Sequence, residues 1–231
     1  MLNLVIAESE IELVPARLSQ HPSIRKMAEK KMKDATELLL DSNFHHSAMV
    51  GLFDEDRRGR PDLVHHVLIT SMDSPLNHEG LLRIFIHTRK DRVIKVNPGM
   101  MVPQSYNRFV GLIEQLFKEK RIPATGEPLM EMEKHKITGL LDEIKPDFTV
   151  LLSEKGEKMA PEDLGALLAK YKNPVAIIGG FPHGEFTNEI EDAVDLKVCI
   201  DPDCLKAWTA ASRVIMGYEV ATGLAKKRLG I

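Results

Sequence analysis

The chain has only two cysteines, Cys199 and Cys204, without His or Cys partners at finger spacing. They resemble neither a disulfide framework nor a zinc knuckle, and they read as core or pocket thiols. No apolar run approaches the roughly 18 residues of a membrane span. The start MLNLVIAESEIELVP lacks a basic leader and a small-residue cleavage pattern. The expectation is therefore a cytoplasmic protein with no membrane partner. Charge of one sign is missing too: 31 Lys plus Arg against 34 Asp plus Glu leave a formal net charge of -3. Bulk attraction cannot carry such a chain to a polyanion, so any nucleic-acid site must be local. GxGxxG, Walker, HExxH and GxSxG motifs are all absent, and no metal site is expected from the scattered histidines.

What is present is an ordinary globular composition, 231 residues with 43% hydrophobic and 28% charged side chains, enough for a substantial core in one or two domains. MLNLVIAES reads as a strand, residues 23–40 as a helix with a charged outer face, and residues 63–70 as a strand. LLRIFIHT and RVIKV flank the turn Arg89-Lys90-Asp91 as a hairpin. After Pro103, the apolar positions Tyr106, Phe109, Val110, Ile113, Leu116 and Phe117 predict an amphipathic helix. Residues 121–136, with two prolines and a glycine, read as a connection. Beyond it, helical and extended patterns alternate, an α/β organisation with a largely parallel sheet, closed by one long helix from about Leu205 to Lys227.

Two regions offer chemistry. In AIIGGFPHGEF an apolar strand empties into paired glycines and a turn ending at Gly184, and KVCIDPDCLKAW repeats the strand-to-helix passage. Ligands bind beyond the carboxyl ends of parallel strands, and glycine admits them to the backbone. Gly179, Gly184 and the backbone around Ile200 are thus candidates for an adenosine-containing cofactor, while a plain structural turn, with Asp203 capping the last helix, stays open. In the first half, Arg57, Arg58 and Arg60 cluster ahead of Asp62, a residue placed to hold an arginine through a charge-assisted bond. Residues 81–96 add five basic side chains, Arg83, Arg89, Lys90, Arg92 and Lys95, against Asp91 alone, a formal local charge of +4. This is the expected RNA grip of an acidic protein.

The segments LDSNFHHSAM, RRGRPDLVH, DSPLNHEG, IHTRKDRVIKVNP, IIGGFPHGEF and LKAWTAASRVI, in this order, resemble the archaeal and eukaryotic small-subunit rRNA pseudouridine N1-methyltransferase family of the SPOUT class, over essentially the whole chain. The resemblance implies a single SPOUT-like α/β domain over 1–231 with an extra strand and helix insertion. It places an RNA-binding elaboration at about 41–120 and a deep C-terminal trefoil knot at about 145–231. It further implies a homodimer, an S-adenosylmethionine pocket in the knot loops, and small-subunit rRNA and ribosome-assembly proteins as partners. By position, Gly179 and Gly184 match the cofactor-loop glycines. Cys199, Ile200, Asp201, Pro202, Asp203, Cys204 and Leu205 match the next cofactor loop, and Leu152 ends the preceding strand. Arg60 matches the rRNA-contacting arginine and Asp62 the residue that steadies it, the pair given the catalytic role; Arg57 and Arg58 accompany them on the RNA. The family's basic residues downstream fall on Met101, Gln104 and Arg108, of which only Arg108 stays basic. Outside the family, two other classes stay open: a catalytically silent RNA chaperone, and an α/β enzyme acting on a small molecule.

Overall fold

A computed structural model describes residues 1–231. Its strands are β1 Leu2–Ser9, β2 Leu82–Thr88, β3 Arg92–Val96, β4 Arg121–Ile122, β5 Met130–Lys134, β6 Phe148–Lys158, β7 Pro174–Gly179 and β8 Leu196–Cys199. They form one sheet in the order β4-β5-β3-β2-β1-β7-β6-β8. The strands from β2 through β8 in that order run parallel, and β3, β5 and β4 extend the sheet in antiparallel fashion. The helices are α1 Pro22–Lys31, α2 Ser42–Met49, α3 Pro61–Met72, α4 Pro75–His78, α5 Tyr106–Glu119, α6 Ile137–Ile144, α7 Pro161–Leu168, α8 Asn188–Glu191, α9 Ala207–Ala221 and α10 Leu224–Leu229.

Strand β1 is buried along its whole length, and its side chains alternate between two cores. Leu2, Leu4 and Ile6 join the larger core with residues of α3, α5, α7 and α9, while Val5 and Ala7 face Ile137, Leu140, Leu141 and Ile144 of α6. A third, smaller core gathers Ile24 and Ala28 of α1, Ala48 and Met49 of α2, and Leu38 and Leu40 between them. On the α9 side, helix α7 approaches so closely that a Cβ on Gly165 would strike the backbone of Gly217 at 2.1 Å.

Several elements differ from the expectation. Residues 63–70 are helix, not strand: Leu63, Val64, Val67, Leu68 and Met72 are buried while His66 and Thr70 are exposed, a helical period, and Pro61 occupies the first turn. The 23–40 helix stops at Lys31, where Met32 takes a left-handed conformation. An Asp34-capped turn follows, and then the buried extended run Leu38 to Leu40. The supposed connection 121–136 contributes β4 and β5, paired through Arg121↔Glu131 and Ile122↔Met130. The closing helix is split at Gly223, which has a positive φ of 64°. The hairpin, the 106–119 helix and the β6-α7-β7 alternation stand as expected.

Candidate functional site

The loops leaving the carboxyl ends of β6, β7 and β8 converge on one cleft of about 510 Å³, within the usual range for small-molecule sites. Leu152, Gly179, Gly184, Cys199, Ile200, Asp201, Asp203, Cys204 and Leu205 all line it; Pro202, expected with them, does not. Apolar walls come from Ile178, Val198, Ile200, Leu205, Ala207 and Ala210. Gly184 has φ +99°, a conformation closed to most side chains. Asp203 does not cap α9: Lys206 occupies the cap position, and the Asp203 N–H donates to Asp201 Oδ1 at 3.0 Å. The Cys199 thiol donates to the Asp201 carbonyl, and the Glu154 carboxylate beside Cys204 pushes that thiol above its usual range. Loops at the strand ends, an apolar wall and a glycine in a left-handed conformation suit an adenosine-bearing cofactor.

The cleft has a further wall that sequence reasoning missed. Both Leu152 and Glu157 pair with Val198, so residues 153–156 bulge out of β6 and bring Ser153, Glu154 and Lys155 to the rim. Gly156 permits this, since a Cβ there would come within 2.4 Å of the Val198 nitrogen. Lys155 pairs with Glu185 across the rim. The change from the apolar FTVLL to the charged SEKGEK was the available signal.

The arginine segment is built differently. Glu8 lies near the end of β1, Glu10 and Glu12 follow it, and all three are buried. Arg57 donates to Glu8 and to Glu10, the latter at 3.0 Å. Arg58 forks onto Glu12 at 2.6 and 2.9 Å, and its side chain is only 9% exposed. Arg89 reaches Glu10 and Asp54, Lys90 reaches Glu12, and Lys95 reaches Glu133 and Glu143. The +4 read over residues 81–96 is therefore largely neutralised by acids remote in sequence, and Arg58 is packed away from any surface partner. Burial pushes the Glu10 carboxyl up to about 7 against the pull of Arg89 and Arg57. Burial also opposes ionisation of Glu12, but hydrogen bonds from Arg58 and Lys90 win and hold it below the usual carboxylate range.

Arg60 and Asp62 form the fork anticipated for them, Nε to Oδ1 and Nη2 to Oδ2, both at 2.8 Å. Their side chains stay 27% and 20% exposed, so the pair is fixed yet reachable. Asp62 sits in the first turn of α3, and the Arg60 N–H donates to the Glu10 carbonyl. On the same side, Tyr106 donates to Asp41, and the His65 ring bonds the Pro103 carbonyl at 2.7 Å. These contacts pin residues 101–108 beside α3. Met101, Gln104 and Arg108 are all exposed there, Met101 at 91%, with the first two in the loop ahead of α5.

The model of the EMG1/NEP1 methyltransferase family matches residues 4–219. The chain is 44% identical to the ribosomal RNA small subunit methyltransferase Nep1 of Thermococcus kodakarensis, over 97% of this chain and 100% of the relative. It is also 44% identical to the Nep1 of Pyrococcus furiosus, over 94% and 96%. A crystal structure of Archaeoglobus fulgidus Nep1 bound to S-adenosylhomocysteine superposes with a TM-score of 0.83 at 34% identity, covering 96% of this chain and 98% of that one. The mixed sheet, the antiparallel elaboration and the C-terminal loop cluster are those of the SPOUT fold with its knot region. This chain belongs to the EMG1/NEP1 family of SPOUT-class ribosomal RNA methyltransferases.

Proposed function

We propose that the chain methylates N1 of a specific pseudouridine in small-subunit, 16S-type rRNA during ribosome biogenesis, with S-adenosylmethionine as methyl donor. The observation that carries this reading is the joining of two unlike sites through Glu10, just past β1: its N–H donates to the Gly180 carbonyl beside the cleft beyond β6, β7 and β8, and its carbonyl accepts from Arg60 of the half-buried Arg60–Asp62 fork. The donor, when bound, supplies an electrophilic methyl group. Gly179, Gly184 and the Cys199 to Leu205 loop would hold it, with apolar side chains against its base.

Arg60 anchors the RNA backbone with the donors that Asp62 leaves free, and Asp62 holds the guanidinium to one orientation. Gln104 and Arg108 extend this surface along the 101–108 segment, and Met101 adds contact without charge. A target base splayed from its strand reaches the cleft, and orientation supplies much of the acceleration with no covalent enzyme intermediate. The whole chain acts as one domain, with the RNA-facing elaboration at about 41–120 and the knotted cofactor portion at about 145–231. The exposed Met216 and Val220 on α9 support a homodimer. No helix is long and apolar enough to cross a membrane; cytoplasmic work on rRNA beside assembly proteins is part of the same proposal.

The test is incubation with labelled methyl donor and matched rRNA fragments containing pseudouridine or uridine, followed by nucleoside mass spectrometry. Label at N1 of pseudouridine alone is expected. Equal labelling of uridine, or methylation elsewhere, sinks the reading.

A further inference from the structure

Arg57 was expected on the RNA, yet its side chain points between the two sites. Its Nε donates to Glu10 Oε1 at 3.0 Å, and Nη2 donates to Glu8. Its Nη1 donates to the Glu185 carbonyl at 2.8 Å, and the guanidinium carbon lies 3.7 Å from the centre of the Phe181 ring. Phe181 and Glu185 belong to the loop that walls the cofactor cleft. Glu8 completes the clamp from the other side, accepting from the Thr187 N–H at 3.0 Å where that loop enters α8. One arginine thus engages two buried carboxylates, a loop carbonyl and an aromatic face, a set that a planar five-donor fork satisfies and an ammonium cannot.

The same contacts lead to Arg60. Glu10 accepts the Arg57 side chain on its carboxylate and the Arg60 N–H, at 3.1 Å, on its carbonyl. Glu10 and Arg57 thus join Arg60 to the 181–187 loop, beside a main-chain link in which the Glu10 N–H donates to the Gly180 carbonyl at 3.1 Å. A shift of the Arg60 segment under a bound RNA must displace the clamp or be resisted by it.

The geometry points to Arg57 as a positioning residue that locks the 181–187 loop to the Arg60 segment, so that occupancy of the RNA surface and of the cofactor cleft are energetically linked. This rests on the proposed function and adds to it a role that direct RNA contact would not produce. Linkage of this kind is reciprocal: each ligand tightens the other by the same factor.

The experiment has two arms. In the first, amide hydrogen exchange over residues 181–187 is followed in the ligand-free protein for the wild type, Arg57→Gln and Arg57→Lys. The lysine variant keeps a cation beside Glu8 and Glu10 and so guards against simple misfolding, which circular dichroism monitors. Exchange at Thr187 and its neighbours is expected to speed up about tenfold in both, the scale of one lost charge-assisted hydrogen bond. Unchanged exchange overturns the clamp. In the second arm, the affinity for S-adenosylhomocysteine is measured by calorimetry with and without a saturating rRNA fragment. The wild type is expected to gain about fivefold or more from the RNA, and the variants to gain nothing. A gain that survives in both variants overturns the linkage, as does a loss of RNA affinity without cofactor in Arg57→Gln equal to that in Arg60→Ala. Should the wild type bind neither ligand, the proposed function and the linkage fall together, while the exchange arm still decides whether Arg57 holds the loop.

Discussion

The cofactor cleft and the arginine segment lie side by side, yet they were built by different means and differ in how far sequence reveals them. The cleft is made by loops at the ends of parallel strands, so most of its members sit in short contiguous stretches, 152–155, 178–186 and 198–205. Nine of the ten residues expected there line it. The arginine segment is made of charge, and charge is a property of neighbours. Four acids supplied by distant segments, Glu8, Glu10, Glu12 and Asp54, absorb Arg57, Arg58, Arg89 and Lys90. A run of basic letters therefore says little about a basic surface until its partners are known.

Breaking the buried charge tests this contrast most severely. Glu12→Ala leaves the enclosed Arg58 without its partner and should cost about 3–5 kcal/mol in chemical denaturation. By contrast, Asp203→Ala in the exposed cofactor loop should stay within about 0.5 kcal/mol. Next comes pH. The Glu10 carboxyl sits near 7 in the fold against 4.5 for an ordinary glutamate, because burial disfavours its charge. Its contribution to stability is complete below about 4.5 and is lost as pH rises through about 7, by about 3 kcal/mol in all. Glu10→Gln should flatten this fall when the denaturation midpoint is followed from pH 4 to pH 8.

On the cleft side, Gly184→Val forces a branched side chain into φ +99° with its Cβ 3.3 Å from Arg57 Nη1. Calorimetry with S-adenosylhomocysteine should report a loss on the order of 10- to 100-fold, from about 1–3 kcal/mol of strain. Arg60→Ala should weaken binding of the rRNA fragment about tenfold and leave cofactor affinity alone nearly unchanged; the reverse pattern would exchange the roles of the two regions. The smallest effect belongs to Met101→Arg, which restores a cation at an exposed position. It should steepen the salt dependence of RNA affinity by about one counterion, measured as the slope of log K against log salt.

The misread elements have equally concrete causes. Residues 63–70 are rich in Leu, Val and Ile, which favour strands, but the exposed His66 and Thr70 restore a period near four that outweighs this preference. Residues 121–136 carry too few strand formers to be recognised. Their pairing comes from the neighbouring β3, where Lys95↔Glu131 and Val96↔Met130 stand opposite one another. The bulge at 153–156 depends on Val198 serving two positions of one strand, and the only local trace of it is the change from the apolar FTVLL to the charged SEKGEK.

Local chemistry was enough to establish the alternating α/β plan, the loops after β7 and β8 and the Arg60–Asp62 fork, because each depends on residues a few positions apart. Tertiary structure decided the rest: which arginines remain free, which carboxylate is raised and which lowered, and that Arg57 faces the cofactor loop. Those outcomes follow from burial and from partners up to 128 residues away, as with Arg57 and Glu185. Electrostatic energy depends on distance and dielectric, and only the folded chain sets either.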